Sequence, residues 1–248
     1  MKPIPNDNLA RFVVLFEGRS GSTFFIEALD SHPRIRAHKE LLAEVKKKVE
    51  RGKAEPEDQA ECLRRLFVPG DHDYDAIGFK TKYKDILDPE GFARLIGEYD
   101  ARVILLQRRN RIKLMVSLMN AVRLNAATGD WNLYSESDRQ PMLHVDLEQF
   151  AGWLQRTEKA NAAMNDYADR LERPMLRLCY EDLLMKPGPS FERICEFLGV
   201  PPAGMQAQCK KNTSDDLREV VENFEELKAA FAGTPYEEMF DEVLQPQA

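Results

Sequence analysis

The chain is poor in cysteine: Cys62, Cys179, Cys195 and Cys209 are widely spaced among 248 residues and form no C-x-x-C pair. No apolar run approaches the roughly 20 residues that a membrane-spanning helix needs. Residues 1–11 hold no apolar stretch of the signal-peptide kind. Reduced thiols in a cytoplasmic protein are therefore expected, and the sequon Asn212-Thr213-Ser214 is expected to be a chance match. A net positive charge is also missing. A formal net charge of −7 disfavours a general nucleic-acid binder. It leaves room for a small polyanion held by cations gathered in one cleft, because local field outweighs net charge at short range. Repeats, low-complexity tracts and a dividing linker are all absent. With 43% hydrophobic and 31% charged residues, one domain over residues 1–248 is expected, with an α/β core at about 11–200 and a helical tail at about 210–245.

The most informative stretch that is present runs from Phe12 to Phe25. The apolar run Phe12-Val13-Val14-Leu15-Phe16 has strand length. It enters Glu17-Gly18-Arg19-Ser20-Gly21, and Ser22-Thr23 opens an amphipathic segment. Strand, tight loop and helix start together make an anion cradle, since the free N–H groups and the positive dipole end of the helix face the ligand. Gly18 and Gly21 let backbone approach, Ser20, Ser22 and Thr23 add hydroxyls, and Arg19 adds a fixed cationic fork. The spacing is not that of a Walker A loop, which requires a Lys after its second Gly and a magnesium-binding hydroxyl. A phosphate-bearing donor used without metal fits better. The plainer alternative is an ordinary turn carrying a surface Arg.

Four short apolar runs read as buried strands, at residues 12–16, 76–79, 103–106 and 175–178. Helical patterns are predicted at 23–31, 39–51, 57–67, 89–98, 111–125, 147–171 and 190–198, with tail helices at 215–231 and 236–243. This alternation predicts an α/β fold: a P-loop-like three-layer sandwich with a central parallel sheet flanked by helices. Ligands of such sheets bind beyond the carboxyl ends of the strands. The tips there are residues 18–23, 80–82, 108–111 and 180–182, and three of these four are cationic or built for anions. Residues 126–145, polar and irregular, are either a lid over substrate or a disordered surface insert.

Arg108, Arg109, Arg111 and Lys113 crowd the start of a helix. Cations there oppose the helix dipole by roughly 0.3–1 kcal/mol each, so the cluster needs an anion or acidic neighbours. Ser117 lies eight residues after Arg109, too far for a local contact, yet both can touch one extended anion. A solvated helix start is the alternative.

Arg19-Ser20-Gly21-Ser22-Thr23, together with Arg109 and Ser117, resembles the paired signature of sulfotransferases that use 3′-phosphoadenosine 5′-phosphosulfate (PAPS). Leu29-Asp30-Ser31-His32-Pro33 is similar to the tyrosylprotein and bacterial branches. Cys179-Tyr180-Glu181-Asp182-Leu183, Pro187 and Phe197-Leu198-Gly199-Val200 resemble the family's later strand-helix element. Many cytosolic members carry Lys where Arg19 stands here; the tyrosylprotein and bacterial branches carry Arg.

The resemblance implies that the first loop, Arg19 to Thr23, holds the 5′-phosphosulfate, and that Arg109 and Ser117 hold the 3′-phosphate. Cations beside the leaving nucleotide phosphate lower the barrier, and Arg19 and Lys80 are the candidates; the resemblance places Lys80 at the equivalent strand tip, and Lys82, two residues on and on the same side if the strand continues, is the reserve choice. Glu40, 21 residues after Arg19, is implied as the general base. From the residues alone, Glu40 is equally a first-turn helix acid, and His38 is a weaker base candidate. His32, before Pro33, reads as a turn residue. Tyr180 is implied as a nucleotide contact, against a plain buried Tyr at a strand end. Lys210 and Lys211 are implied as a late basic segment over the nucleotide, against a solvated pair. The expected reaction is metal-independent sulfuryl transfer from PAPS, with 3′,5′-ADP as product, to a small-molecule, carbohydrate or peptide acceptor. The competing readings are a P-loop kinase or nucleotidase, against which stand this chain's missing Walker Lys and missing Asp after residue 106, and a non-catalytic nucleotide-binding protein.

Overall fold

The structure, a computed structural model, describes residues 8–68, 73–207 and 213–244. Among these, β1 (Ala10–Phe16), β2 (Ile35–His38), β3 (Ala76–Thr81), β4 (Arg102–Gln107) and β5 (Met175–Cys179) form one sheet. The strand order is β2-β3-β1-β4-β5, and every pairing is parallel. The chain fills one side of β1 with β2 and β3, then crosses to the other side with β4 and β5. The crevice at the carboxyl end of β1 is thus a topological switch point, where sheets of this kind bind ligands.

The period-2 alternation of the strands separates two cores. Phe12, Val14, Phe16, Ile104 and Leu106 face α1 (Ser22–Asp30) and, later in the chain, α7 (Tyr180–Met185) and α8 (Pro187–Leu198). Val13, Leu15, Ile77, Phe79, Val103 and Leu105 face α2 (Leu41–Glu50), α3 (Asp58–Leu66), α4 (Pro89–Glu98) and the distal half of α6 (Leu147–Arg170). Helix, sheet and helix make three layers, as the alternation of runs predicts. A third apolar cluster joins α5 (Arg111–Thr128) and the first turns of α6 to the C-terminal segment, which includes α9 (Phe224–Ala230). No helix among the described residues is long and apolar enough to cross a membrane.

Three elements differ from expectation. β2 does not stand out in the sequence because Arg34-Ile35-Arg36-Ala37-His38 offers only two apolar positions; it is a four-residue edge strand whose charges suit an edge. α7 begins directly at Tyr180, where only a strand tip is expected. The tail is not two long helices. It holds a 3-10 turn at Leu217–Glu219, α9, and a second 3-10 turn at Glu237–Phe240. Its backbone is diverted elsewhere: Val220 accepts a hydrogen bond from Leu143, and the Asn223 side chain bonds both N–H and C=O of Val145. Residues 126–145 extend α5 to Thr128 and then wrap back onto that tail.

Candidate active site

The loop after β1 ends at Gly21, which caps α1 with a left-handed φ of +76°. α1 has no side-chain cap and no acid in its first turn, so its positive end and first N–H groups stay available to an anion. Ser20 serves the loop itself, donating its hydroxyl to the Glu17 carbonyl at 2.7 Å. Arg19 also adopts a positive φ, +67°, a strain typically worth about 1–3 kcal/mol. Its carbonyl accepts from Arg108 Nη1 at 3.4 Å, and its guanidinium donates to Ser117 Oγ at 3.1 Å and to the Trp131 carbonyl at 2.9 Å. A Cβ at Gly21 would sit 2.3 Å from Tyr180 Cδ2. Gly21→Ala is therefore expected to lower unfolding stability by about 1–3 kcal/mol in a urea titration. Adding Tyr180→Ala should recover the part due to the clash and leave the part due to φ.

The tip of β3 brings two cations to this loop. Ala76, Gly78 and Lys80 share the face toward α1, opposite Ile77 and Phe79. Lys80 is 2% exposed and donates to Ser22 Oγ at 3.3 Å and Thr23 Oγ1 at 3.2 Å. Lys82, two residues on, lies on the same side: both ammonium groups stand over the Phe16 ring, at 4.9 and 5.0 Å from its centre. Glu40, at the start of α2, meets both. Its Oε2 is 2.6 Å from Lys82 Nζ and its Oε1 is 3.5 Å from Lys80 Nζ. Burial pushes the Lys80 ammonium down to about 8, with Lys82 adding to the fall and Glu40 opposing it. Burial raises the Glu40 carboxyl, but Lys82 and Lys80 together hold it below its ordinary value. His38 faces Asp30 and Arg36 instead, and burial lowers its pKa. His32 is a turn residue: its Nδ1 accepts from the Arg34 N–H and its Nε2 bonds the Pro201 carbonyl.

The cations at the tip of β4 have acidic partners. Arg111 grips Glu17 through two bonds of 2.5 and 2.7 Å and also reaches Glu158. Lys113 pairs with Asp215 at 2.6 Å. Glu181 accepts from the backbone N–H groups of Arg109 and Asn110, each at 3.0 Å, and so clamps the strand-to-helix turn. Burial raises the Glu181 carboxyl, and its hydrogen bonds from Cys179, Arg109 and Asn110 outweigh that and hold it low. These acids answer the dipole cost that the cationic cluster incurs. Arg109 itself is exposed and lies on Asp182 at 3.0 Å. An exposed pair of this kind is worth roughly 0–1 kcal/mol and yields readily to a better anion. The structure does not bring Arg109 and Ser117 onto one another, since Ser117 is held by Arg19.

Tyr180 is buried, with its ring against Gly21 and the Arg108 guanidinium 4.8 Å from its centre. The ring packs against the loop at Gly21. Arg108 did not stand apart in the sequence from its three cationic neighbours, yet it is 6% exposed and its buried Nε makes no hydrogen bond. Only the fold separates it from Arg111 and Lys113. Lys210 and Lys211 lie outside the described residues.

One side of this site presents an uncapped helix start with hydroxyls and Lys80; beside it stands the Glu40 carboxylate, held below its ordinary pKa. That arrangement can bind an anionic group, take a proton from an attacking hydroxyl and stabilise charge on a departing oxyanion. The chain is 24% identical over 244 residues to Nodulation protein H of Rhizobium tropici, covering 95% of this chain and 96% of that one. It is 26% identical over 242 residues to Nodulation protein H of Rhizobium meliloti (strain 1021), covering 93% and 94%. The crystal structure of a sulfotransferase from Alicyclobacillus acidocaldarius shares the fold, at a TM-score of 0.51 and 18% identity over 97% of this chain and 98% of that one. The model of the sulfotransferase domain matches residues 18–230. The chain belongs to the sulfotransferase domain family and is a sulfotransferase enzyme.

Proposed function

We propose that the chain, acting as one domain over residues 1–248, moves a sulfuryl group from PAPS to a hydroxyl or amine acceptor, in line and without a metal. The observation that carries this is the meeting of Glu40, Lys80, Ser22 and Thr23 at the open N-terminus of α1. The α1 N–H groups, Ser22, Thr23 and Arg19 hold the phosphosulfate; Lys80 lies against the bridging oxygen that leaves with the 5′-phosphate. Glu40 takes the acceptor proton as the new O–S bond forms and the donor's S–O bond breaks, and the electron pair of that bond stays on the leaving 3′,5′-ADP. Gly21 and Ser20 shape the loop, and Tyr180 supports it. Arg109 and Ser117 hold the 3′-phosphate, with Arg109 exchanging Asp182 for it, and Lys210 and Lys211 close over the nucleotide. The acceptor is a small-molecule, carbohydrate or peptide hydroxyl. The Arg19 contacts to Trp131 and Asn132 support residues 126–145 as part of its wall. A reducing, cytoplasmic setting accords with Cys62, Cys179 and Cys195 all being free.

The test is an assay of PAPS with a panel of hydroxyl acceptors, with and without EDTA, and ATP as a control donor. Release of 3′,5′-ADP that needs PAPS and is unchanged by EDTA is expected; turnover that EDTA abolishes, or that proceeds from ATP, overturns the assignment. Arg109→Ala is expected to weaken 3′,5′-ADP binding about 10- to 100-fold by titration calorimetry, on the scale of one lost charge-assisted hydrogen bond. Its kcat at saturating donor should stay near the parent's. Equal nucleotide affinity in parent and variant removes Arg109 from the donor site.

A further inference from the structure

Two lysines share one carboxylate in the cleft, and they are not equivalent. Lys80 is buried and also bonds Ser22 and Thr23, the hydroxyls at the start of α1. Lys82 is more exposed, and it donates to Glu40 Oε2 at 2.6 Å. The other cation beside Glu40, Lys39, turns away to Glu27 at 3.2 Å. Within α2, Glu44 is engaged with Lys47. Glu40 is therefore faced by Lys80 at the end of β3 and by Lys82 just beyond it, and from its own segment by groups that are otherwise paired.

Docking an anionic donor at α1 changes this balance. The donor's negative charge draws on Lys80, whose bonds already point to the loop, and it stands close to the Glu40 carboxylate. A like charge a few ångströms away favours the protonated acid, and a protonated Glu40 cannot accept a proton. A counter-ion that stays on Glu40 when Lys80 serves the donor prevents that loss.

We infer that Lys82 is this counter-ion: a positioning residue that holds Glu40 charged and oriented in the donor complex, while Lys80, and not Lys82, serves the leaving group. The inference rests on Glu40 being the general base. During transfer the acceptor's proton passes to Glu40, the acceptor oxygen bonds sulfur, and the donor's S–O pair goes to the leaving phosphate. One negative charge thereby moves from Glu40 to the phosphate, past Lys80, which lies between the carboxylate and the loop hydroxyls. Lys82 remains at the Glu40 end. Each carboxylate oxygen has a second lone pair, so the contact with Lys82 leaves Glu40 able to accept from the acceptor hydroxyl.

The experiment is the pH profile of kcat at saturating PAPS for the parent, Lys82→Met, Lys82→Gln, Lys82→Arg and Glu40→Gln, each checked for folding by thermal melting. In the parent the rate falls on the acid side as Glu40 protonates. In Lys82→Met and Lys82→Gln that acid limb is expected to move up by about 1–3 pH units, the usual effect of removing an adjacent opposite charge. Lys82→Arg restores it toward the parent position. Glu40→Gln abolishes it. If both neutral Lys82 variants keep the limb at the parent pH while Glu40→Gln abolishes it, the Lys82 inference is overturned and the base stands. If Glu40→Gln retains the limb, the base assignment itself fails.

Discussion

Glu40→Gln lowers kcat by about 10²- to 10⁴-fold, the usual contribution of a positioned general base. The amide matches the carboxylate in shape but has no charge and no useful basicity, so an acceptor hydroxyl must lose its proton to water. The same change releases Lys80 and Lys82 from the carboxylate they now share at 3.5 and 2.6 Å. Both then become fully available to an anion, and 3′,5′-ADP is expected to bind at least as tightly as to the parent. Lower turnover with undiminished nucleotide affinity distinguishes a lost base from a damaged site. Steady-state rates and calorimetry on the same preparation read both. Near-parent kcat across the pH range, or a matching loss of nucleotide affinity, removes Glu40 from its proposed role.

Lys80→Met lowers kcat by about 10²- to 10³-fold, the scale for removing one group preorganised toward developing charge. The effect is large because Lys80 is 2% exposed, so water cannot replace the lost ammonium, and low local polarity strengthens its interaction with the leaving oxygen. The pH dependence adds a second reading. With its pKa pushed down to about 8 by burial, Lys80 in the free enzyme loses its charge as pH rises through that value. The parent's kcat/KM for PAPS should therefore fall above about pH 8, because kcat/KM reports the free enzyme. Bound phosphosulfate favours the charged lysine, so the corresponding limb in kcat lies at higher pH. Lys80→Arg, which keeps its charge throughout, should remove the limb from kcat/KM at some cost in rate from its different shape. A parent without a basic limb near pH 8, or an Arg variant that retains it, refutes the assignment of that titration to Lys80.

The sequence was most legible where structure is local. Phe12 to Thr23 reads as strand, loop and helix start because an unbroken apolar run, two glycines and a row of hydroxyls each act within a few residues. β2 was hidden because its alternation is too short and too charged to stand out from a turn; it becomes a strand only when Ile35 to His38 align with Ala76 to Phe79. The tail departs from its helical periodicity at 215–231 because that pattern says nothing of Leu143, Val145 and Asn223, whose backbone and side-chain bonds divert it. In the cationic cluster after β4, sequence shows four equivalent charges. The fold sorts them into Arg111 on the buried Glu17, Lys113 on Asp215, Arg108 against Tyr180 beside the loop, and Arg109 exposed on an acid from which it can be drawn.

By itself, then, the sequence determined a parallel α/β sheet and an anion cradle at the end of its first strand, because apolar periodicity and turn chemistry act over short stretches of chain. Only the tertiary structure decided which groups share that cradle. Glu40 and Lys82 are 42 residues apart, and Arg19 and Ser117 are 98 apart. Each pair meets because parallel strands, joined by long crossovers, bring distant carboxyl-terminal tips to one edge of the sheet.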